Sequence, residues 1–220
     1  YFTSEDLNYA HKLRSKAYRL GLDISGTAIR NDFCHPDPDQ RQKDIAHTKK
    51  WVDIALHLGA PCIRVFAGNA HKGQSEDAAR ALVVESMKDA CDYAGKSGIY
   101  LALENHGYLT GTASELQQFL DAVNNEWLAI NLDSGNFTSD PYGNMARIAS
   151  RAVNVQFKLD VIGADGKTRE PADFERIFRI LREAGYRGYV ALEYEGDDDP
   201  NVGFPKFLAD VRAGLDASVA

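Results

Sequence analysis

Four apolar stretches of the sequence each end abruptly in side chains that can bind a cation or move a proton. The first, residues 99–107, runs Ile-Tyr-Leu-Ala-Leu and then delivers Glu104, Asn105 and His106. Because the carboxyl ends of parallel strands meet at one edge of a sheet, we expect such groups to lie side by side there. The other three stretches are 128–136 with Asp133, 152–160 with Gln156 and Lys158, and 189–196 with Glu193 and Glu195.

These stretches need a scaffold in which strands and helices alternate. Apolar residues at helical spacing lie between them, bounded by capping signals such as Thr112-Ala-Ser-Glu115 and terminators such as Gly59. Such alternation predicts six βα units in a parallel sheet with right-handed crossovers, and one domain over residues 1–220. The predicted helices cover 3–20 (with Thr3 as N-cap), 40–58, 75–96, 112–123, 142–151, 173–184 and 202–215, and the predicted strands cover 22–30, 61–67, 99–107, 128–136, 152–160 and 189–196.

Composition excludes several classes of protein. The chain has 220 residues, of which 44% are hydrophobic and 26% charged, which suits one sizeable globular core. A net charge of −7 argues against nucleic acid or an anionic membrane surface as partner. No apolar run approaches the roughly 20 residues that span a bilayer. No signal peptide is visible, so we expect a cytoplasmic protein. The cysteines form no CxxC pair and are expected as buried thiols: Cys34, Cys62 and Cys91.

The strand-end motifs resemble the xylose isomerase-like barrel superfamily, which contains sugar phosphate isomerases and epimerases and AP-endonuclease-2-like proteins. The resemblance implies an eight-stranded (β/α)8 TIM barrel. Aligned in this way, strand 22–30 is the family's third strand, so we expect a barrel that lacks its first two strands and holds about six parallel strands in this chain. The matching motifs are Leu-Glu-Asn-His at 103–106, Leu-Asp-Ser-Gly-Asn at 132–136, Val-Gln-Phe-Lys at 155–158 and Gly-Tyr-x-Gly-Tyr-Val-Ala-Leu-Glu at 185–193.

The resemblance also implies a metal site. Family members hold one divalent cation with glutamate, aspartate, histidine and glutamate at the ends of strands five to eight. Glu104, Asp133 and Glu193 match these positions, and Gln156 stands where the family has histidine. An amide oxygen still ligates, and hard oxygen donors favour Mn²⁺, with Mg²⁺ or Co²⁺ as alternatives, over zinc.

By the same resemblance, Glu104 and Glu193 form the acid/base pair that moves a proton at the carbon next to a substrate carbonyl. His106 is expected to contact a substrate hydroxyl or donate a proton, or else only to orient Glu104. Lys158 is expected to stabilise an oxyanion, or else to form an ion pair with Asp160 or Glu193. His71, in the loop after strand 61–67, is a weaker candidate for substrate contact.

Several functions remain open at this point. The first is a metal-dependent isomerase or epimerase of a small keto sugar. The second is a lyase or dehydratase of a keto sugar or cyclic keto acid, similar to 3-dehydroshikimate dehydratases. An AP-endonuclease-type nuclease is disfavoured, because such sites are rich in histidine, and a non-catalytic barrel is disfavoured by the intact oxygen-ligand set. The expected partner is a small sugar, and a homo-oligomer stays open.

Overall fold

The computed structural model describes residues 4–219, which form two compact units. One unit comprises Tyr1–Leu103 and Phe119–Ala129, and the other comprises Glu104–Gln118 and Ile130–Ala220. The helices are α1 (Leu7–Arg19), α2 (Pro38–Leu58), α3 (Glu76–Lys96), α4 (Ala113–Val123), α5 (Pro141–Ile148), α6 (Phe174–Glu183) and α7 (Pro200–Ala217). The strands are β1 (Thr27–Ala28), β2 (Cys62–Val65), β3 (Tyr100–Glu104), β4 (Leu128–Asp133), β5 (Ala152–Phe157), β6 (Asp160–Ile162), β7 (Arg169–Pro171) and β8 (Val190–Leu192).

Parallel strands form the centre of the first unit. β1 pairs with β2 and β2 pairs with β3, so that Thr27 lies opposite Ile63 and Val65 opposite Leu103. β1 has only two residues, against the nine predicted at 22–30, and the apolar Leu22 before it is exposed. Leu22 was predicted to lie in a buried strand, and that prediction is wrong for this residue.

The helices of the first unit differ in how well their apolar stripes predicted burial. In α2 the helically spaced residues are all buried, and Gly59 ends that helix in the left-handed conformation, with φ +79°; these residues are Ile45, Thr48, Val52, Ala55 and Leu58. In α1 Ala10 is buried, whereas Leu7 and Leu20 of its predicted stripe are exposed. Asp6 is the N-cap of α1, and the predicted cap Thr3 lies outside the described residues.

Aromatic side chains pack β5 of the second unit against two helices. β5 lies between β4 and β8, and all three strands are parallel. The Phe157 ring of β5 stacks on Phe174 of α6 with 5.6 Å between centroids, and Phe174 lies 5.7 Å from Phe207 of α7. Burial of such rings dominates core energetics, so this cluster fixes β5 against both helices.

An antiparallel hairpin interrupts the predicted alternation of strands and helices. The stretch predicted as one strand at 152–160 is divided into β5 and β6, and β6 pairs with β7. Asp165 and Gly166 lie in the loop of this hairpin, with Gly166 at φ +69°. Strict alternation is therefore wrong here, because the exposed β7 (Arg-Glu-Pro) carries no apolar run that a pattern could detect.

The prediction of about six parallel strands is confirmed for the described residues. These strands are β1, β2, β3, β4, β5 and β8. Within residues 4–219, β1 pairs only with β2, and β8 pairs only with β5. In the same range no helix is both long and apolar enough to cross a bilayer. The assignment of residues 1–220 to one domain stays a prediction.

Candidate active site

The predicted metal ligands lie together at the strand ends of the second unit. Glu104 ends β3 and Asp133 ends β4, and both side chains are buried. Asp133 lies opposite Gln156 in the register of β4 and β5. Glu193 directly follows β8, and its peptide N–H donates to the carbonyl of Phe157 over 2.9 Å.

Three side-chain amides, Asn154, Asn131 and Gln156, link the two glutamates; we call them the amide chain. Asn154 Nδ2 donates to Asn131 Oδ1 over 2.7 Å. Asn131 Nδ2 donates to Gln156 Oε1 and, over 3.3 Å, to Glu104 Oε2. Gln156 Nε2 donates to Glu193 Oε2 over 2.8 Å. Neither Asn131 nor Asn154 was predicted as a site residue, although each is a polar residue inside an otherwise apolar run of a strand.

The buried ammonium of Lys158 lies among three carboxyl groups. Its Nζ lies 2.5 Å from Glu195 Oε2, 3.4 Å from Glu193 Oε2 and 3.9 Å from Asp133 Oδ2. Gly135 makes room for this side chain, because a Cβ there would lie 2.8 Å from Lys158 Cδ. We call Glu104, Asp133, Glu193, Glu195 and Lys158 the acid cluster. The ion pair of Lys158 with Glu193 that we weighed from the sequence is present.

Burial and nearby charges shift the pKa values of Asp133 and Glu193 in opposite directions. Burial, with the nearby Glu104 charge, raises the pKa of Asp133 well above its usual range despite the opposing field of Lys158. Burial also acts to raise the pKa of Glu193, but Lys158 and neighbouring hydrogen bonds outweigh it and lower that pKa. The pKa of Lys158 is raised, because the carboxylates around it outweigh its own burial. The cluster therefore has more negative charge than its ammonium offsets.

The donor set fits a divalent cation. Asp133 Oδ2 is buried, and no residue within 4–219 forms a hydrogen bond with it. Three carboxyl groups, of Asp133, Glu193 and Glu195, lie within 3.9 Å of the one ammonium, and the Glu104 charge also acts on Asp133, so a cation of charge two would relieve the remaining repulsion. Gln156 is the exception, because its oxygen accepts from Asn131; this amide must turn before it can act as an oxygen ligand.

Two further asparagines hold the ends of β3 and β4. Asn105 pairs with the backbone of Asp133: its Nδ2 donates to the carbonyl and its Oδ1 accepts from the peptide N–H, each over 2.8 Å. Asn136 Nδ2 donates to Glu104 Oε1 over 3.0 Å. Sequence patterns did not assign Asn105 a role, although it directly follows a predicted ligand.

His106 is exposed, unlike the buried Glu104 and Asn105 that precede it. β3 ends at Glu104, so the alternation that would turn His106 to the same side does not extend to it, and the residue is exposed. Its peptide N–H and its carbonyl both bond the Thr110 hydroxyl over 3.0 Å. A substrate contact by His106 stays a prediction. His71 belongs to the first unit, where its Nε2 lies 2.7 Å from Asp32 Oδ2.

Parallel βα units with acidic strand ends define a class of barrel proteins. The chain belongs to the xylose isomerase-like TIM barrel family, whose profile matches residues 2–215.

Individual relatives in this family are distant. A 2-oxo-tetronate isomerase of Haemophilus influenzae is 25% identical over 154 residues, covering 66% of this chain and 59% of the relative. An L-ribulose-5-phosphate 3-epimerase of Salmonella paratyphi A is 24% identical over 164 residues, covering 71% and 58%. The chain thus spans less than two thirds of either relative. The crystal structure of a 3-keto-D-glucoside 4-epimerase from E. coli has a TM-score of 0.80 at 17% identity, covering 94% of this chain and 85% of that one.

Proposed function

We propose that this protein is a sugar isomerase or epimerase that depends on a divalent cation and moves a proton at the carbon next to a substrate carbonyl. The observation that carries the proposal is the buried Asp133 Oδ2 without a hydrogen-bond partner in the described chain, set among Glu104, Glu193 and Lys158. The isomerase and epimerase names of the two curated relatives support the same class of reaction.

Glu104, Asp133 and Glu193 would hold the cation, with Gln156 joining them once its amide has turned. Mn²⁺ is the expected ion, and Mg²⁺ and Co²⁺ suit the same oxygen donors. When bound, the cation supplies Lewis acidity that stabilises the negative charge developing on the substrate oxygen.

The two glutamates perform the proton transfer. One of the two groups, as the carboxylate, takes the proton from the substrate carbon, and the other, as the carboxylic acid, gives its proton to that carbon from the opposite face, so the two groups exchange protonation states. Glu104 is held by Asn136 and Glu193 by Lys158, two contacts that do not depend on how the Gln156 amide is turned, so both groups are oriented before substrate binds. Such orientation is a large part of catalytic rate enhancement.

Lys158 contributes charge rather than the proton itself. It is buried and already bonded to Glu195, so its ammonium is oriented without further cost. An ammonium in this place stabilises negative charge on a substrate oxygen, as oxyanion donors do.

Deuterium wash-in tests this proposal. Purified protein is incubated in D₂O with Mn²⁺ and a panel of keto sugars, phosphorylated and free, and deuterium next to the carbonyl is measured by NMR. Glu104→Gln and Glu193→Gln should each abolish wash-in. Lys158→Ala should lower it by about 10²–10³ fold, the usual cost of losing one oxyanion donor. The matched control is Glu183→Gln, on the exposed end of α6, which should leave wash-in unchanged.

Two results would contradict the proposal. Unchanged wash-in in both glutamine variants would rule out the two-glutamate mechanism. Wash-in that survives a strong chelator would rule out the dependence on a cation. Deuterium uptake with an unsaturated product in place of an epimer would assign the lyase reaction instead.

A further inference from the structure

The first unit contains a second group of metal-ligand side chains, Asp32, Cys34 and His71, which we call the thiol cluster. They lie on the loops that follow β1 and β2. One ligand atom from each lies within 4.8 Å of the other two. Cys34 Sγ is 3.1 Å from Asp32 Oδ1, and His71 Nε2 is 2.7 Å from Asp32 Oδ2. The sulfur is fully buried, whereas the Asp32 and His71 side chains are 31% and 34% exposed, so a solute can reach the cluster from one side.

Hydrogen bonding within the cluster leaves the sulfur with more acceptors than protons. Cys34 Sγ faces Asp32 Oδ1 and the Asn69 carbonyl, each at 3.1 Å. A thiol has a single proton, so only one of these oxygens can receive a hydrogen bond from it. Cys34 N–H also donates to Asp32 Oδ1, over 3.2 Å. A bound cation would replace this crowded arrangement of sulfur and oxygen atoms with bonds to each ligand.

The surrounding loops hold the three ligands in place. Gln74 ties the two loops together, since its Nε2 donates to the Cys34 carbonyl over 2.9 Å and its Oε1 accepts from the His71 peptide N–H over 3.0 Å. The His35 ring packs edge-on against His71 with 4.4 Å between centroids. Gly68 has φ +97°, and a Cβ there would collide with Asp32 Oδ1 and lie 2.9 Å from Cys34 Sγ. Only glycine leaves this space open.

We propose that Asp32, Cys34 and His71 bind a zinc-class cation, separately from the acid cluster. Zinc bonds of about 2.0–2.3 Å in tetrahedral geometry separate ligand atoms by roughly 3.3–3.6 Å. Cys34 Sγ and His71 Nε2 lie 3.1 and 2.7 Å from different oxygens of Asp32, and one ligand atom from each residue lies within 4.8 Å of the others. The two partly exposed side chains would turn to bring the three ligand atoms to the spacings of a zinc site. A thiolate and a carboxylate neutralise a cation of charge two, and the thiol proton passes to solvent. Three protein ligands leave a fourth position for water or a small ligand.

Cobalt titration tests this site, because a thiolate bound to Co²⁺ gives a charge-transfer absorption in the near ultraviolet that oxygen ligands do not give. The wild-type protein should develop this band, and added Zn²⁺ should remove it. Cys34→Ser should abolish it, and His71→Asn should weaken cobalt binding at least tenfold. Gln74→Ala, which removes a residue that holds two ligands, should weaken it by about 10–100 fold.

Matched controls separate this site from the acid cluster and from the other thiols. Cys91→Ser alters another fully buried cysteine, on α3, and should leave the band unchanged. Asp133→Asn should leave the band intact while it removes proton wash-in, so failure of one proposal is distinguishable from failure of the other.

A folded wild-type protein without the band, or a band that persists in Cys34→Ser, would overturn the inference. If Cys34→Ser does not fold, as judged by circular dichroism, the partly exposed His71→Asn variant decides. A band of unchanged intensity and cobalt affinity in that variant would reject the site.

Discussion

The acid cluster of the second unit and the thiol cluster of the first both follow parallel strands, but they differ in donors and in charge. The acid cluster offers oxygen atoms and has an excess of negative charge that Lys158 only partly offsets. The thiol cluster has one carboxylate, one imidazole and one thiol. Burial, followed by the hydrogen bond and charge of Asp32, raises the pKa of that thiol to about 12. Equivalent positions in a βα scaffold can therefore be supplied with hard or soft ligands.

The support of the two clusters also differs. Side-chain amides on the strands or directly after them hold the acid cluster, as Asn131 on β4 and Asn105 after β3 illustrate. The thiol cluster depends on its loops, through the left-handed conformation of Gly68 and the hydrogen bonds between the Gln74 side chain and loop backbone. Changes to strand side chains should therefore affect the acid cluster, and changes to loop conformation should affect the thiol cluster.

The largest effect is expected from Lys158→Met, which removes the buried ammonium from beside the buried Asp133. We expect the free energy of unfolding to fall by about 3 kcal/mol, the lower end of the cost of breaking a buried ion pair, because Glu193 and Glu195 are 40% and 58% exposed. Mn²⁺ should restore much of this loss. Urea denaturation with and without the ion measures both effects. Lys49→Met, which removes a partly exposed pair with Asp89, is the control and should cost less than about 1 kcal/mol. Equal losses in both variants would show that Lys158 stabilises the protein no more than a partly exposed ion pair does.

Gly68→Ala should disrupt the thiol cluster and spare the acid cluster. The added methyl would collide with Asp32 and Cys34, so we expect a loss of about 3 kcal/mol in the free energy of unfolding and loss of the cobalt band. Gly73→Ala separates strain from collision, because Gly73 has φ +83° but nothing within 4 Å of its added Cβ. That control should cost only about 1–2 kcal/mol and retain the band. A band that survives Gly68→Ala would show that the loop is not what holds the ligands.

Asn105→Ala should cost about 1–3 kcal/mol, because it leaves the buried backbone groups of Asp133 without their side-chain partner. Wash-in should also fall, since the ligand Asp133 is then held less firmly. Asn125→Ala also removes two bonds, one from the Trp127 peptide N–H and one to the exposed Asp92 carboxylate, but at a half-buried site, and should cost less. Thermal unfolding of both variants measures the difference, and an equal cost would refute a clamping role for Asn105.

The smallest effect is expected from Glu195→Gln. Glu195 is the nearest carboxylate to Lys158, but its side chain is 58% exposed. Its removal should change the free energy of unfolding by less than about 1 kcal/mol and reduce wash-in only slightly. A loss as large as that of Glu193→Gln would instead place Glu195 among the essential groups.

The strand ends of the second unit were predictable because a buried strand that turns polar is a strong pattern. Glu104 and Asp133 follow runs of apolar residues that are buried on both faces, and both lie where the pattern placed them. The capping box at Thr112 is also present: the Thr112 peptide N–H donates to the Glu115 carboxylate over 2.8 Å.

Features that depend on long-range partners were not predictable from local pattern. Asn131 and Asn154 look like interruptions of a strand until their pairing across β4 and β5 is known. The apolar residues at helical spacing in α1 predicted a buried face, but Leu20 is exposed. Such spacing does not show whether another part of the protein packs against that face. Asp32 and Cys34 lie in a segment read only as a loop, and their proximity to His71 depends on how β1 and β2 pair.

The hydrogen bonds of the amide chain all run in one direction, and this couples the three amides when the acid cluster binds a ligand. Every donor points from Asn154 toward Glu193, and Asn154 Oδ1 at the start has no hydrogen-bond partner in the described part of the chain. If Gln156 turns its oxygen away to serve as a ligand, its nitrogen faces Asn131, which must turn as well. That rotation releases Glu104 Oε2 and gives Asn154 Oδ1 the donor that it lacks. The three amides would then reverse as one cooperative unit, and their side-chain NH₂ signals in NMR spectra would shift together as the site fills.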